Sequence, residues 1–369
     1  MKKRSSVYGV VMAGGGGTRF WPWSREKQPK QILPIVSNRS MIWETVQRIS
    51  PFIPPENVFI VTSRTQVKKL HREVPQIPPK NLLTEPMGRN TAPCICLAAL
   101  HIQKLDPTAV MVVLPADHHI GDPKVFLRTL KAASAFARKR DLLVTLGIHP
   151  TEPEIGYGYI QKGVPLGKEG TISIFRARAF REKPSRPKAR AYLKSGDYLW
   201  NSGMFVWRVE IFLGALQKYL PDLYTEMAKI HSSLGTPREK KALETAYARI
   251  EPVSIDYGIM EKAQNVAVVD ARFPWNDVGS WAALGKIWPT DERGNATAGP
   301  RPTGPAKVLA IDSSGCLIHG REKLIAVIGL KDMVVVESGD AFLVCPRDRC
   351  QDVRQILKAL QEKGWKEYL

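Results

Sequence analysis

Chemistry is concentrated near the start of the chain. Val10-Val11-Met12-Ala13 runs into Gly14, Gly15, Gly16 and Gly17, then Thr18-Arg19 and, shortly after, Pro29-Lys30-Gln31. Without Cβ atoms, glycine N–H groups can approach a phosphate and turn toward it. Arg19 and Lys30 supply the cationic charge that backbone dipoles only partly provide. The pattern points to a nucleotide polyphosphate. A P-loop is excluded because no Lys follows Gly17 at the required place. The dinucleotide fingerprint is excluded because it needs a third Gly where Arg19 stands. The plainer reading of the glycines is a flexible loop without a ligand.

Two carboxylates stand at comparable places far apart. Asp117, in Leu114-Pro115-Ala116-Asp117-His118-His119, ends an apolar run; Asp277 follows Phe273-Pro274-Trp275-Asn276. A Mg²⁺ ion on substrate phosphates keeps waters and takes few protein ligands, so such a pair suits it. Plainer readings are a helix cap for Asp117 and a turn for Asp277. His118 and His119 invite zinc, but neighbours on a strand face opposite sides. Glu85, before Pro86, could accept the paired N1–H and N2 donors of guanine and would repel adenine's ring lone pair. Glu182 could accept two sugar hydroxyls, Lys183 could meet a sugar phosphate, and Asn201 offers both donor and acceptor. Each of these also reads as an ordinary turn residue.

Elements must deliver these residues to one place. Val58–Thr62, Ala109–Leu114 and Leu142–Ile148 are nearly continuous apolar runs, as in strands buried on both faces. Met41–Ile49, capped by Ser40, and Phe126–Phe136 have helical period. The alternation predicts an α/β fold with a doubly wound, mainly parallel sheet, whose ligands sit beyond the strands' carboxyl ends. Residues 1–290 form the expected catalytic domain, 291–306 a Gly/Pro-rich linker, and 307–369 a small β unit closed by a helix from Asp352.

With 369 residues, 44% hydrophobic and 24% charged, the composition is that of a soluble globular chain. No apolar run reaches the roughly 20 residues of a membrane span. Lys2, Lys3 and Arg4 precede an apolar run too short for a leader, so export is not expected. Five scattered cysteines fit free thiols in a reducing cytoplasm. The formal charge of +19 favours anionic partners, but the basic residues form no block and no nucleic-acid motif is present.

Taken together and in order, these motifs resemble the sugar-1-phosphate nucleotidyltransferases, and within them the mannose-1-phosphate guanylyltransferase branch. Further matching pieces are Arg89-Asn90-Thr91-Ala92-Pro93, Gly156-Tyr157-Gly158-Tyr159-Ile160, Arg181-Glu182-Lys183-Pro184, Trp200-Asn201-Ser202-Gly203, Ser254-Ile255-Asp256-Tyr257 and Trp275-Asn276-Asp277-Val278-Gly279. The family's usual pattern has Ser where Asn276 stands. The resemblance implies a Rossmann-like domain and transfer of GMP from GTP to α-D-mannose 1-phosphate, with Mg²⁺ on Asp117 and Asp277. It implies the nucleotide on Gly14 to Gly17, Glu85 and Asn90, with Arg19 and Lys30 on its phosphates. The sugar phosphate would lie on Gly158, Glu182, Lys183 and Asn201. Many members continue into a phosphomannose isomerase domain, for which the residues here are too few, so a single activity is expected. Alternatives are another hexose or heptose nucleotidyltransferase using GTP or dTTP, and a non-catalytic sugar-nucleotide-binding regulator. No nucleic acid or membrane partner is expected, and a homodimer is the assembly considered.

Overall fold

The computed structural model describes residues 6–297, 307–320 and 323–369. Most of the expected linker lies outside the described residues. Ten strands of the first part are β1 (Val7–Met12), β2 (Val58–Ser63), β3 (Leu82–Glu85), β4 (Val110–Pro115), β5 (His119–Ile120), β6 (Leu143–Ile148), β7 (Tyr159–Glu169), β8 (Ile172–Arg181), β9 (Tyr198–Arg208) and β10 (Val266–Ala271). A short β11 (Trp275–Asn276) pairs with β5.

Nine of these strands form one sheet in the order β3-β2-β1-β4-β9-β6-β10-β8-β7. The α/β architecture is the one expected, and its sheet is mixed. Pairings among β3, β2, β1 and β4 are parallel, as is β6 with β10. β9 runs antiparallel between β4 and β6, and β7 and β8 form an antiparallel hairpin at one edge. Strands joined by a tight turn can only pair antiparallel, whereas crossovers through helices give parallel neighbours.

The period-two alternation of strand side chains sorts them onto two helical layers. Val10, Val61, Met111, Val113 and Trp207 face the helix Thr91–Leu105 and the helices of 209–249. Val11, Ile60, Val112 and Leu114 face the helices Met41–Ile49 and Pro123–Arg138. The first of that pair starts at Ser40, whose hydroxyl accepts from Trp43 N–H at 3.4 Å. The second starts at Asp122, which accepts from the N–H groups of Lys124 and Val125 at 3.0 Å each. Asp122 is therefore the cap, and Asp117 is left for other work. Among the described residues no helix is long and apolar enough to cross a membrane.

The C-terminal unit contains β12 (Val308–Ile311), β13 (Leu317–His319), β14 (Ile325–Ile328), β15 (Met333–Ser338) and β16 (Ala341–Pro346), followed by the helix Val353–Glu362. β12 pairs parallel with β14 and β13 with β15, and β16 closes antiparallel on β15. Its apolar side shares one core with Phe20, Trp21, Trp23, Val278, Trp281 and Trp288. Three indole N–H groups donate across this core: Trp21 to Tyr368 O at 2.7 Å, Trp281 to Trp21 O at 3.0 Å, Trp288 to Ile35 O at 2.9 Å. The unit thus braces the chain just after the glycine run and just after Asp277.

Gly17 has φ of +58°, and a Cβ there would lie 2.2 Å from Lys30 Cβ and 2.9 Å from Lys30 N. Left-handed strain costs an L residue roughly 1–2 kcal/mol and overpacking about 1–3 more. A Cβ on Gly15 would meet nothing within 4 Å. Gly17→Ala should therefore lower stability by more than about 1 kcal/mol, with Gly15→Ala close to wild type. Thermal and urea melts of the two variants check the contrast.

Candidate active site

A cavity of about 500 Å³ opens beyond the carboxyl ends of β1, β3 and β4 and is bordered by the amino-terminal half of the antiparallel β9. Of the residues singled out from sequence, Gly14, Gly15, Glu85, Asn90, Asp117, Gly158, Glu182, Asn201 and Asp277 all line it. Gly16, Gly17, Arg19, Lys30 and Lys183 do not form its wall; Lys183 is exposed beside Glu182, with φ of +50°.

Lys30 ties the two carboxylate segments together. Its ammonium donates to Asp117 Oδ2 at 2.8 Å, to Asp117 O at 3.0 Å and to Asp277 O at 2.9 Å. An ammonium has three hydrogens, so all are engaged. A spacing reveals a cation but not which protein acceptors fold around it. The Lys30 side chain is 5% exposed. Burial alone would raise the Asp117 carboxyl, but Lys30, His118 and Arg19 together hold it below its ordinary value. Arg19 thus acts on this region through its charge. Gln31, next along, donates to Ala13 O at 2.8 Å and Gly15 O at 3.0 Å, which fixes the start of the glycine run.

Asp277 Oδ1 accepts from the Tyr157 hydroxyl at 3.0 Å. Trp275 Nε1 donates to His118 Nδ1 at 3.2 Å, which requires that nitrogen to be unprotonated. Burial lowers the His118 pKa, although Asp117 and Asp277 both press the other way. His118 lines this cavity, whereas His119 lines a neighbouring one, so the two imidazoles diverge. Asp117 and Asp277 each keep one carboxylate oxygen beyond these bonds. Among the described residues no group of three or more His, Cys, Asp or Glu forms a metal cluster. A hard, all-oxygen pair that leaves other positions to water and phosphate fits Mg²⁺.

At the glycine run, Glu85 is 5% exposed and accepts from the Tyr247 hydroxyl at 3.2 Å. Burial pushes its carboxyl up to about 7, and the Tyr247 bond offsets this only in part. Asn90 caps the helix Thr91–Leu105 through Oδ1, which accepts from Thr91 N–H at 2.8 Å. The Arg89–Ala92 segment is bound to the 253–255 segment by Ala92 N–H to Val253 O, Val253 N–H to Arg89 O and Ile255 N–H to Thr91 Oγ1.

That second segment delivers a residue to which sequence reading gave no role. Asn201 Nδ2 donates to Glu182 Oε1 at 3.2 Å and to Asp256 Oδ1 at 2.9 Å. Burial and then Asp256 push Glu182 up to about 7, and burial raises Asp256. A Cβ on Gly158 would lie 1.9 Å from Glu182 Oε1, so only glycine lets that oxygen rest there. Tyr157, Trp275 and Asp256 stand inside the motifs quoted above, which is the signal the sequence carries for them; Tyr247 has no such signal.

The chain matches the nucleotidyl transferase family model over residues 8–294. Residues 306–360 match a MannoseP isomerase/GMP-like beta-helix domain. It is 38% identical over 362 residues to mannose-1-phosphate guanylyltransferase of Klebsiella pneumoniae, covering 97% of this chain and 75% of that protein. It is also 38% identical to the xanthan biosynthesis protein XanB of Xanthomonas campestris, covering 98% of this chain and 75% of the relative. The crystal structure of mannose-1-phosphate geranyltransferase from Thermus thermophilus superposes with a TM-score of 0.85 at 34% identity, covering 96% of this chain and 99% of that one.

The raised Glu85 pKa carries a sign. The folded carboxyl at about 7 holds its proton above its ordinary value of 4.5. The folded state therefore loses stability, relative to the unfolded, as pH rises between those values. Glu85→Gln keeps an acceptor for Tyr247 without the charge. Its stability relative to wild type should improve from pH 5 to pH 8 in urea melts; a pH-independent difference would contradict the raised value.

Proposed function

Because the chain belongs to the nucleotidyl transferase family, we propose that it transfers GMP from GTP to α-D-mannose 1-phosphate, giving GDP-mannose and pyrophosphate. The observation that carries this reading is one cavity with three different acidic settings: Glu85, the Asp117–Asp277 pair, and Glu182 with Asp256. Glu85 would accept the N1–H and N2 amino groups of guanine. Glu182 would accept sugar hydroxyls, with Lys183 at the rim meeting the sugar phosphate. The names of the curated relatives support the same pairing of substrates.

In this reading an oxygen of the sugar phosphate attacks the α-phosphorus of GTP in line, and pyrophosphate leaves. The protein holds both reactants within reach and stabilises charge; no protein nucleophile is needed. The glycine run presents backbone N–H groups, Arg19 adds positive charge, and Lys30 keeps Asp117 ionised and aligned with Asp277. Asp117 and Asp277 would hold Mg²⁺, which when bound supplies charge neutralisation and polarisation of phosphate oxygens. We assign the protein to the cytoplasm on its five free cysteines. Residues 1–290 are proposed as the catalytic domain and 307–369 as the unit bracing it.

The direct test is pyrophosphate release from GTP with a panel of sugar 1-phosphates. Mannose 1-phosphate should give the highest kcat/KM, and a preference for glucose 1-phosphate would move the chain to a sister activity. Asp117→Asn and Asp277→Asn should each reduce turnover by roughly a hundredfold or more. Asp277→Asn should leave the melting curve unchanged, Asp117→Asn should lower it because the buried Lys30 ammonium loses its counter-charge, and EDTA should stop the wild-type reaction. Full activity in EDTA would remove the metal assignment. Lys183→Ala should raise the KM for the sugar phosphate much more than that for GTP; equal effects would show that it serves the nucleotide or the fold.

A further inference from the structure

We propose that Asp256 is a second carboxylate that reads the hexose hydroxyls, and that Asn201 clasps it to Glu182 instead of reading the sugar itself. The proposal rests on the cavity reading given above and adds a residue and a division of labour within it.

The amide orientation of Asn201 is fixed by its partners. Its Oδ1 accepts from Gly203 N–H at 3.1 Å, and a backbone N–H can only donate. The NH₂ group must then face the two carboxylates, and it donates one hydrogen to each. Both hydrogens of Asn201 are spent inside the protein. A side chain so engaged has little left to offer a ligand, whereas each carboxylate has used one oxygen on the clasp.

Glu182 and Asp256 both line the cavity. Among the described residues neither forms an ion pair; Lys183 and Glu261 lie near enough to act on both through charge alone, with opposite signs. Two poorly solvated carboxylates held by one neutral amide need hydrogen-bond donors. A cationic ligand would answer that need, but neither proposed substrate carries a cation. A neutral polyol supplies several O–H donors side by side, which is what two carboxylates from different segments can accept. Asp256 is also held in place: it opens a π-helical turn, Asp256–Met260, and the residue before it is bonded to Thr91 Oγ1 at 2.9 Å. Such turns recur at functional sites.

The test uses the full chain with GTP and mannose 1-phosphate, together with its 2-, 3-, 4- and 6-deoxy analogues. Asp256→Asn keeps the side-chain shape and an acceptor for Asn201. It should raise the KM for mannose 1-phosphate about tenfold or more, with the KM for GTP and the melting temperature close to wild type. With one of the deoxy analogues the variant and wild type should become equal, since the hydroxyl that Asp256 accepts is then missing from both. Asn201→Ala should reduce kcat/KM by a similar factor for every analogue. Parallel rises in both KM values, or a loss that persists with all four analogues, would make Asp256 a structural residue and overturn the proposal. An Asn201→Ala loss that vanishes with a single analogue would overturn the clasp. Wild-type protein inactive with every hexose 1-phosphate would contradict the activity itself, a separate outcome from an active wild type whose sugar KM ignores Asp256.

Discussion

The three hydrogen bonds of one buried ammonium organise this molecule. Lys30 joins the loop after β4 to the segment after β11, two parts of the chain with no covalent reason to meet. A buried cation without partners would be costly, and so would the Asp117 carboxylate beside it. Each makes the other tolerable, and the two carbonyls satisfy the remaining hydrogens. Gly17 must lack a Cβ because Lys30 passes against it, and Gln31 must reach back to the glycine run because Lys30 precedes it. The aromatic core beneath the C-terminal unit holds the same stretch from the other side. Glycine run, lysine, carboxylates and β unit are thus one mechanical assembly.

Electrostatics divides the cavity into regions of different character. Around Asp117 cations outweigh burial, and the carboxyl is held low. That is where charge can be concentrated, and phosphates need such a place. Around Glu85 and around Glu182 burial wins, and both carboxyls rise to about 7. Among the described residues neither forms an ion pair, and Lys183 only partly offsets burial at Glu182, so their natural partners are neutral donors: the edge of a base, or sugar hydroxyls. Ligand binding would then favour the ionised form of each, which couples affinity to pH near neutrality.

Much of this could be read in the chain itself. The glycine run, Glu85 and Asp117 stand at the carboxyl ends of apolar runs, and the α/β rule sends such positions to one crevice. Asn201 lies inside β9 near its amino end and reaches the same crevice because β9 runs antiparallel. Sequence could not show where Lys30 would point, because a four-carbon stem reaches phosphate and protein acceptors alike. Asp256 was hidden because its importance depends on the register of Asn201, 55 residues away in sequence. The antiparallel direction of β9 is hidden for a related reason: an apolar run buried on both faces reads the same in either direction. In the C-terminal unit the strands were visible, but strands of three to six residues with no regular repeat do not reveal a parallel pairing of alternate strands.

In the proposed function, one cavity holds base, phosphates and sugar in separately prepared regions. A crystal structure with GDP-mannose and Mg²⁺ tests it most directly. The guanine edge should lie on the Glu85 carboxylate, the metal between Asp117 and Asp277, and the hexose hydroxyls on Glu182 and Asp256, with Lys30 still bonded to Asp117. A guanine seated over Glu182, or a hexose beside Glu85, would contradict it.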